Sequence, residues 1–351
     1  MKKLSFLLLI AALFLGLTAC NSATTTTNEA TTTDKETTTK TDTNKIDIYT
    51  TVYPLSYFAE RIGGEYVNVS SIYPPGTNEH TFEPTQADMM ALADSDLFFY
   101  IGLDLEGFVE NAKNTLENEN VNFVATSDAV SDEMLNAAAG DEHAHEKEGH
   151  EDHDHDHEGE NHEEEHAEDG HEGHNHGDID PHVWLSPIIA QELAGAIKEE
   201  LVAALPEQEQ LLNENYDQLI TELESLDQQF EQLASEAESK TFFVSHASFG
   251  YIAKQYGLEQ IAIAGINSQS EPSQKELTEI VDQAEMLQVS YILFEQNVSS
   301  KLSSVIQNEV GADALELHNL SVLTEDDLKN GETYFTLMEK NIETLQQALN
   351  P

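Results

Sequence analysis

The chain has 351 residues, enough for two ordinary domains with their own cores, and its 39% hydrophobic content suits globular folding over most of that length. Sixty-seven Asp and Glu against fifteen Lys and Arg leave a formal net charge of −52, which repels the phosphate backbone of nucleic acids and favours cations as partners. The one cysteine, Cys20, excludes an internal disulfide and any zinc site built on two or more cysteines, so a bound metal must use His, carboxylates or water.

Lys2 and Lys3 precede an apolar run from Leu4 to Leu17, too short to cross a bilayer comfortably but suited to an export signal over residues 1–19. The run ends in Leu17-Thr18-Ala19-Cys20, which resembles the lipobox of bacterial lipoproteins, in which the thiol (here Cys20) carries lipid and tethers the chain to the outer side of a membrane. Residues 20–45 then read as a disordered linker, because twelve threonines in positions 21–45 leave nothing to bury.

From Ile46 the pattern becomes α/β. Strand-like runs at Ile46–Val52, Tyr66–Ile72, Leu97–Ile101 and Val121–Ala125 alternate with helical segments. Thr85-Gln-Ala-Asp88 has the form of a capping box, and Ser186-Pro187 supplies an N-cap and a proline at the first helical position of Ile188–Leu205. A second α/β half starts near Thr241, with strands expected at Phe242–Ser245, Gln260–Ala264, Tyr291–Phe294 and Ala314–Leu317 and a helix opened by Ser273-Gln-Lys-Glu276. Between the halves, Leu212, Tyr216, Leu219, Leu223, Leu226, Phe230 and Leu233 repeat in steps of four and three, predicting one long amphipathic helix. Such a pattern also suits a coiled-coil seam; direct continuation into α/β elements on both flanks favours a spine within the chain. The expected organisation is an N-terminal lobe over 46–205, a linking helix over 206–240 and a C-terminal lobe over 241–351.

Histidine is distributed unevenly. Eleven of the fifteen (His143, His145, His150, His153, His155, His157, His162, His166, His171, His174 and His176) lie in an acidic insert over 141–177 that has almost nothing to bury. Imidazole and carboxylate at this density bind divalent metals weakly and in many arrangements, as a collecting segment would. His162-Glu-Glu-Glu-His166 formally matches the metalloprotease pattern H-E-x-x-H, but the surrounding residues offer no apolar face to hold a catalytic helix rigid.

The other four histidines stand outside the insert. His80 lies in the turn-rich Pro74-Pro-Gly-Thr-Asn-Glu-His-Thr-Phe-Glu-Pro84, His182 in Asp180-Pro-His-Val-Trp-Leu-Ser-Pro187, and His246 at the end of Phe242-Phe-Val-Ser-His246. These are strand ends and pre-helix loops, where α/β sheets collect their ligand sites. The fourth, His318, stands at the end of the last expected strand.

Taken with the lipobox, the His-rich insert, Ser245-His-Ala-Ser-Phe-Gly-Tyr251, Glu271-Pro-Ser273 and Phe294-Glu-Gln-Asn-Val-Ser-Ser-Lys301, these motifs give the whole chain a resemblance to the zinc-binding lipoproteins that serve bacterial ABC metal importers as solute receptors, the cluster A-I or cluster 9 family. The resemblance implies two α/β lobes with central β-sheets flanked by helices, joined by one long rigid helix, with metal held in the interlobe cleft. It implies His80, His182 and His246 as ligands of a transported Zn2+, and an ABC permease and its ATPase as partners of an extracytoplasmic, lipid-anchored monomer on a bacterium, Gram-positive by type. Three imidazoles favour Zn2+ over Mn2+, which prefers oxygen. Relatives place a carboxylate in the loop after the last strand, where this chain has Ser321, so a fourth ligand is sought in His318, Glu79 or a water. Affinity is expected to fall as pH drops through about 6 to 6.5, where free imidazoles gain protons.

An enzyme is not expected, since no ordered general base, nucleophile elbow or phosphate-binding glycine loop accompanies the histidines. The alternatives are a manganese-preferring receptor of the same family and a surface adhesin, which would use the same anchor but gives the strand-end histidines no role.

Overall fold

The structure, a computed structural model, describes residues 45–136, 179–268, 270, 272–296 and 301–351. The signal, Cys20, the threonine-rich linker and all eleven insert histidines fall outside these residues.

The first sheet is built from β1 (Ile46–Thr50), β2 (Val67–Ser71), β3 (Leu97–Tyr100) and β4 (Asn122–Ala125). Helices α1 (Tyr53–Gly63), α2 (Gln86–Ala93) and α3 (Val109–Thr115) connect them, and α4 (Asp132–Asn136) follows β4. The order is β2-β1-β3-β4, with every pair parallel. Parallel strands covered on both faces carry continuous apolar runs, and β3, Leu-Phe-Phe-Tyr, is buried at all four positions.

Next come α5 (Pro187–Ala204) and α6 (Glu209–Glu236). The second sheet repeats the first: β5 (Thr241–His246), β6 (Glu259–Ala264), β7 (Tyr291–Phe294) and β8 (Asp313–Glu316) take the order β6-β5-β7-β8, again all parallel. Helices α7 (Gly250–Gln255), α8 (Gln274–Met286) and α9 (Lys301–Val310) connect them, and α10 (Glu325–Asn330) and α11 (Tyr334–Leu349) close the chain. The capping boxes read from sequence at Thr85 and Ser273 both form, and Ser186 caps α5 through the Ile189 amide.

Helix α6 is an intrachain spine. Its 28 residues span about 42 Å at 1.5 Å per residue. Leu212, Leu219, Leu223, Leu226, Phe230 and Leu233 are buried on one face against α1, α5 and α11, which belong to different halves of the chain. One hydrophobic cluster accordingly runs from Ile48 and Phe98 of the first sheet, through α6, to Val244 and Leu293 of the second. A separate, smaller cluster of Phe243, Ile263, Ala284, Ile292, Ile306 and Ala312 lies on the other face of the second sheet. No helix among the described residues is long and apolar enough to cross a membrane.

The segment after β8 ties the halves together directly. Leu317, Leu320, Val322 and Leu323 join the shared cluster, the Tyr53 amide donates to the Ser321 carbonyl (2.8 Å), and the Gly76 amide donates to the Leu323 carbonyl (3.2 Å). Leu320 holds a left-handed φ of 58° while fully buried, a strained conformation that persists because its amide donates to His318 Nδ1 (2.9 Å).

Because the core is shared, truncating the spine is felt by both lobes. Leu223→Ala should lower unfolding free energy by roughly 2–5 kcal/mol and leave a single cooperative transition. Chemical denaturation followed by circular dichroism and by Trp184 fluorescence checks this, and separated transitions for the two signals would refute the shared core.

Candidate metal centre

His80 sits in the loop between β2 and α2. The loop turns tightly at Pro74-Pro75-Gly76-Thr77, where the Thr77 amide donates to the Pro74 carbonyl (3.2 Å) and Gly76 takes the φ of 74° that a type II turn needs at its third position. Downstream, the His80 amide donates to Asn78 Oδ1 (3.0 Å), which fixes the backbone beneath the ring. His182 precedes the short helical turn Val183–Leu185 that leads into α5. Asp180 Oδ1 accepts both the His182 amide (2.9 Å) and its Nδ1–H (2.7 Å), leaving Nε2 as the nitrogen with a free lone pair. His246 is the last residue of β5, and the Glu295 carboxylate just beyond β7 accepts its Nδ1–H at 3.1 and 3.2 Å. Strands β5 and β7 flank the point where the strand order of the second sheet reverses, the usual place for a ligand in such sheets.

The three rings converge. Their centroids stand 5.3 Å apart for His80 and His182, 5.3 Å for His80 and His246, and 4.9 Å for His182 and His246. One nitrogen from each lies within 4.8 Å of the others, and among the described residues no other group of histidines and carboxylates meets that condition. His182 and His246 are completely buried. Only three buried side-chain polar atoms among the described residues lack a hydrogen-bond partner, and two of them are His80 Nε2 and His182 Nε2. Leaving a buried acceptor unpaired costs about 1–3 kcal/mol, a cost that a positive centre bound by both atoms could remove.

Charge is arranged to match. Burial, then repulsion from His182 and His246, pushes the His80 imidazole down to about 3, which keeps its lone pair available at any physiological pH. Burial also pulls His246 down, but Glu295, through its charge and hydrogen bond, the Ile266 carbonyl and the charge of Glu79 outweigh it and push His246 up to about 9. Both His246 nitrogens face acceptors, since Nε2 donates to the Ile266 carbonyl at 2.7 Å. A cation at this nitrogen must displace that proton. Burial raises the Glu79 carboxyl above the ordinary carboxylate range.

Of the fourth-ligand candidates, Glu79 is close: its Oε1 stands 4.0 Å from His80 Nε2, and the residue is 3% exposed. His318 is elsewhere, which removes it from the candidates. Nδ1 accepts the Leu320 amide (2.9 Å), Nε2 donates to Asp327 Oδ2 (3.2 Å), and Asn341 bonds its backbone on both sides, so neither ring nitrogen is free. Nor is it a surface residue, being 4% exposed. Ser321 turns its hydroxyl to Asn319 Oδ1 (2.9 Å) rather than toward the histidines.

Sequence reasoning missed the carboxylates behind the rings. Asp180 could have been found, because an acid two residues before a candidate ligand is the local pattern for fixing an imidazole. Glu295 could not, since it lies 49 positions from His246 and no local spacing links the two.

The sequence model of the family described as the periplasmic component A of the zinc-uptake complex matches residues 48–348. The zinc-binding lipoprotein AdcA of Streptococcus pneumoniae is 34% identical over 354 residues, covering 99% of this chain and 61% of the relative. The chain therefore spans about three fifths of that relative's length. The high-affinity zinc uptake system protein ZnuA of Bacillus subtilis is 32% identical over 348 residues, covering 99% of this chain and 98% of the relative. The crystal structure of the Zn(II)-bound ZnuA-like domain of the pneumococcal AdcA superposes with a TM-score of 0.66 at 31% identity, covering 88% of this chain and all of that one.

The buried His246–Glu295 pair makes a signed prediction. Its folded pKa lies above the ordinary 6.5, so its stabilisation is complete below about pH 6.5 and vanishes as pH rises through about 9. In chelator-treated protein, Glu295→Gln should cost roughly 3 kcal/mol of unfolding free energy near pH 6 and much less at pH 9.5. A penalty independent of pH would contradict the charged pair.

Proposed function

Since the chain belongs to the family of the periplasmic component A of zinc-uptake complexes, we propose that it is an extracytoplasmic receptor that captures Zn2+ between its lobes and delivers it to an ABC permease driven by an ATPase. One observation carries the reading: two buried imidazole nitrogens without partners converge with a third histidine from the other half of the chain.

His80, His182 and His246 are the ligands. Nitrogen donors at about 2.0–2.1 Å suit Zn2+, and a set without oxygen disfavours Mn2+. Asp180 and Glu295 hold two of the rings by a nitrogen and fix their orientation, the usual arrangement behind metal-bound histidine. The fourth position falls to Glu79 or a water. The site binds the ion and releases it again. Lipid on Cys20 would hold the monomeric body at the outer face of the membrane, and the histidines between His143 and His176 would raise the local metal concentration as weak, exchangeable ligands.

Competition titration of the full chain against a zinc chelator tests the assignment. The wild-type chain should hold one Zn2+ tightly, and changing His80, His182 and His246 together to Ala should weaken that site at least a thousandfold while circular dichroism stays unchanged. Deleting 141–177 should remove weak sites and keep the tight one. Tight binding that survives the triple substitution, or is lost with the insert, would sink the proposal.

The pH dependence follows from His246. Because Zn2+ displaces its proton, affinity should climb about tenfold per pH unit toward pH 9 and level off above it. This moves the window upward from the 6 to 6.5 expected for free imidazoles. His80, already neutral, adds no proton competition there. Zinc affinity measured between pH 6 and 10 checks the slope, and a plateau beginning near pH 7 would contradict it.

A further inference from the structure

Behind the three histidines lies a residue that touches none of them. Asn319, fully buried in the segment after β8, donates its side-chain amide to two carboxylates at once: Glu295 Oε2 at 2.7 Å and Glu79 Oε1 at 3.3 Å. Glu295 comes from the second sheet and holds His246; Glu79 comes from the first half of the chain and neighbours His80. The amide's orientation is determined by its surroundings, because Oδ1 accepts the Ser321 amide (3.0 Å), the Ser321 hydroxyl (2.9 Å) and Gln296 Nε2 (2.9 Å). Flipping it would set oxygen against two carboxylates and nitrogen against three donors.

Asn319 cannot drift. Its carbonyl accepts the Trp184 indole N–H (2.7 Å) and its amide donates to Gln296 Oε1 (3.1 Å). The Glu79 oxygen it holds is the same Oε1 that stands 4.0 Å from His80 Nε2, outside the mutually close group formed by the three histidine nitrogens. Ligands of a tetrahedral zinc lie only about 3.4 Å from one another. To bring Oε1 into the shell, Glu79 would have to move off Asn319 and stretch a bond already 3.3 Å long, and losing that bond leaves a buried amide proton unsatisfied at a cost of about 1–3 kcal/mol.

We propose that Asn319 is a specificity-determining positioning residue: by tying Glu79 to Glu295 across the cleft, it withholds the Glu79 carboxylate from the metal and keeps the shell at three nitrogens and a water. An added carboxylate oxygen favours harder cations such as Mn2+, so withholding it raises discrimination for Zn2+. The inference rests on the zinc-receptor reading above.

The test measures Zn2+ and Mn2+ affinity in the full chain and its variants, together with the visible absorption of bound Co2+, whose intensity reports coordination number. In Asn319→Leu, which keeps the volume and removes the ties, the ratio of Zn2+ to Mn2+ affinity should fall about tenfold, and the Co2+ spectrum should change; adding Glu79→Gln should restore both. Equal weakening for the two metals with an unchanged Co2+ spectrum, the outcome of mere loosening, would overturn the proposal. Should Asn319→Leu fail to fold, the Co2+ spectrum of Glu79→Gln decides: absorption unchanged from wild type supports a withheld carboxylate, and a changed band shape and intensity shows that Glu79 is a ligand and overturns the proposal. Failure of the wild-type chain to bind one zinc tightly would fell the receptor reading itself, separately from the role of Asn319.

Discussion

An imidazole nitrogen buried without a hydrogen-bond partner is expensive, and this molecule keeps two of them side by side. Local contacts aim each ring, and the fold brings the rings together. The Asp180 carboxylate takes one ring's opposite nitrogen, which commits the free lone pair to face inward, and the loop around Asn78 and Gly76 sets the other ring beside it. The third ring arrives from the second sheet with a carboxylate behind it. In a chain of such acidity, the carboxylates Asp180 and Glu295 are each spent on a ring nitrogen, of His182 and His246 respectively.

Holding the rings at that spacing requires the two halves of the chain to behave as one body. The shared hydrophobic cluster and the spine α6 supply the large-scale stiffness, and the segment 317–323 supplies the fine alignment. Trp184 connects the two scales. Its indole N–H bonds to Asn319, its carbonyl accepts the Tyr334 hydroxyl of α11 (2.9 Å), and its ring stands 5.4 Å from His182. A rotation of one half against the other would have to break this continuous core.

The features legible in the sequence were those whose cause is local. Capping boxes at Thr85 and Ser273 work within four residues, the four-three repeat of α6 within a turn, and the strands of both sheets within short apolar runs. His80, His182 and His246 stood out because a polar residue at a strand end or before a capped helix has no packing reason to be there. The environment of His318 depends on Asn341, 23 positions away, and on Asp327, so a residue that looked like a strand-end histidine proved to be part of a buried polar network. Asn319 was invisible for the same reason: its partners are Glu79 and Glu295, which lie 240 and 24 positions off.

The two sheets share one topology, and comparing their corresponding ends shows what converts a scaffold into a site. In the first sheet, the buried Glu106 carboxylate is spent internally. It accepts the Thr51 hydroxyl (2.7 Å) and the amides of Ile101 (2.9 Å) and Gly102 (3.0 Å), while burial pushes its carboxyl up to about 6. In the second sheet the carboxylate is Glu295 and its partner at the strand end is His246, whose second nitrogen reaches onward to the Ile266 carbonyl. A hydroxyl at that position ends the network, whereas an imidazole extends it by one more atom. The same strand order thus closes on itself in the first half, whereas in the second it ends in an imidazole that meets His80 and His182 of the first half.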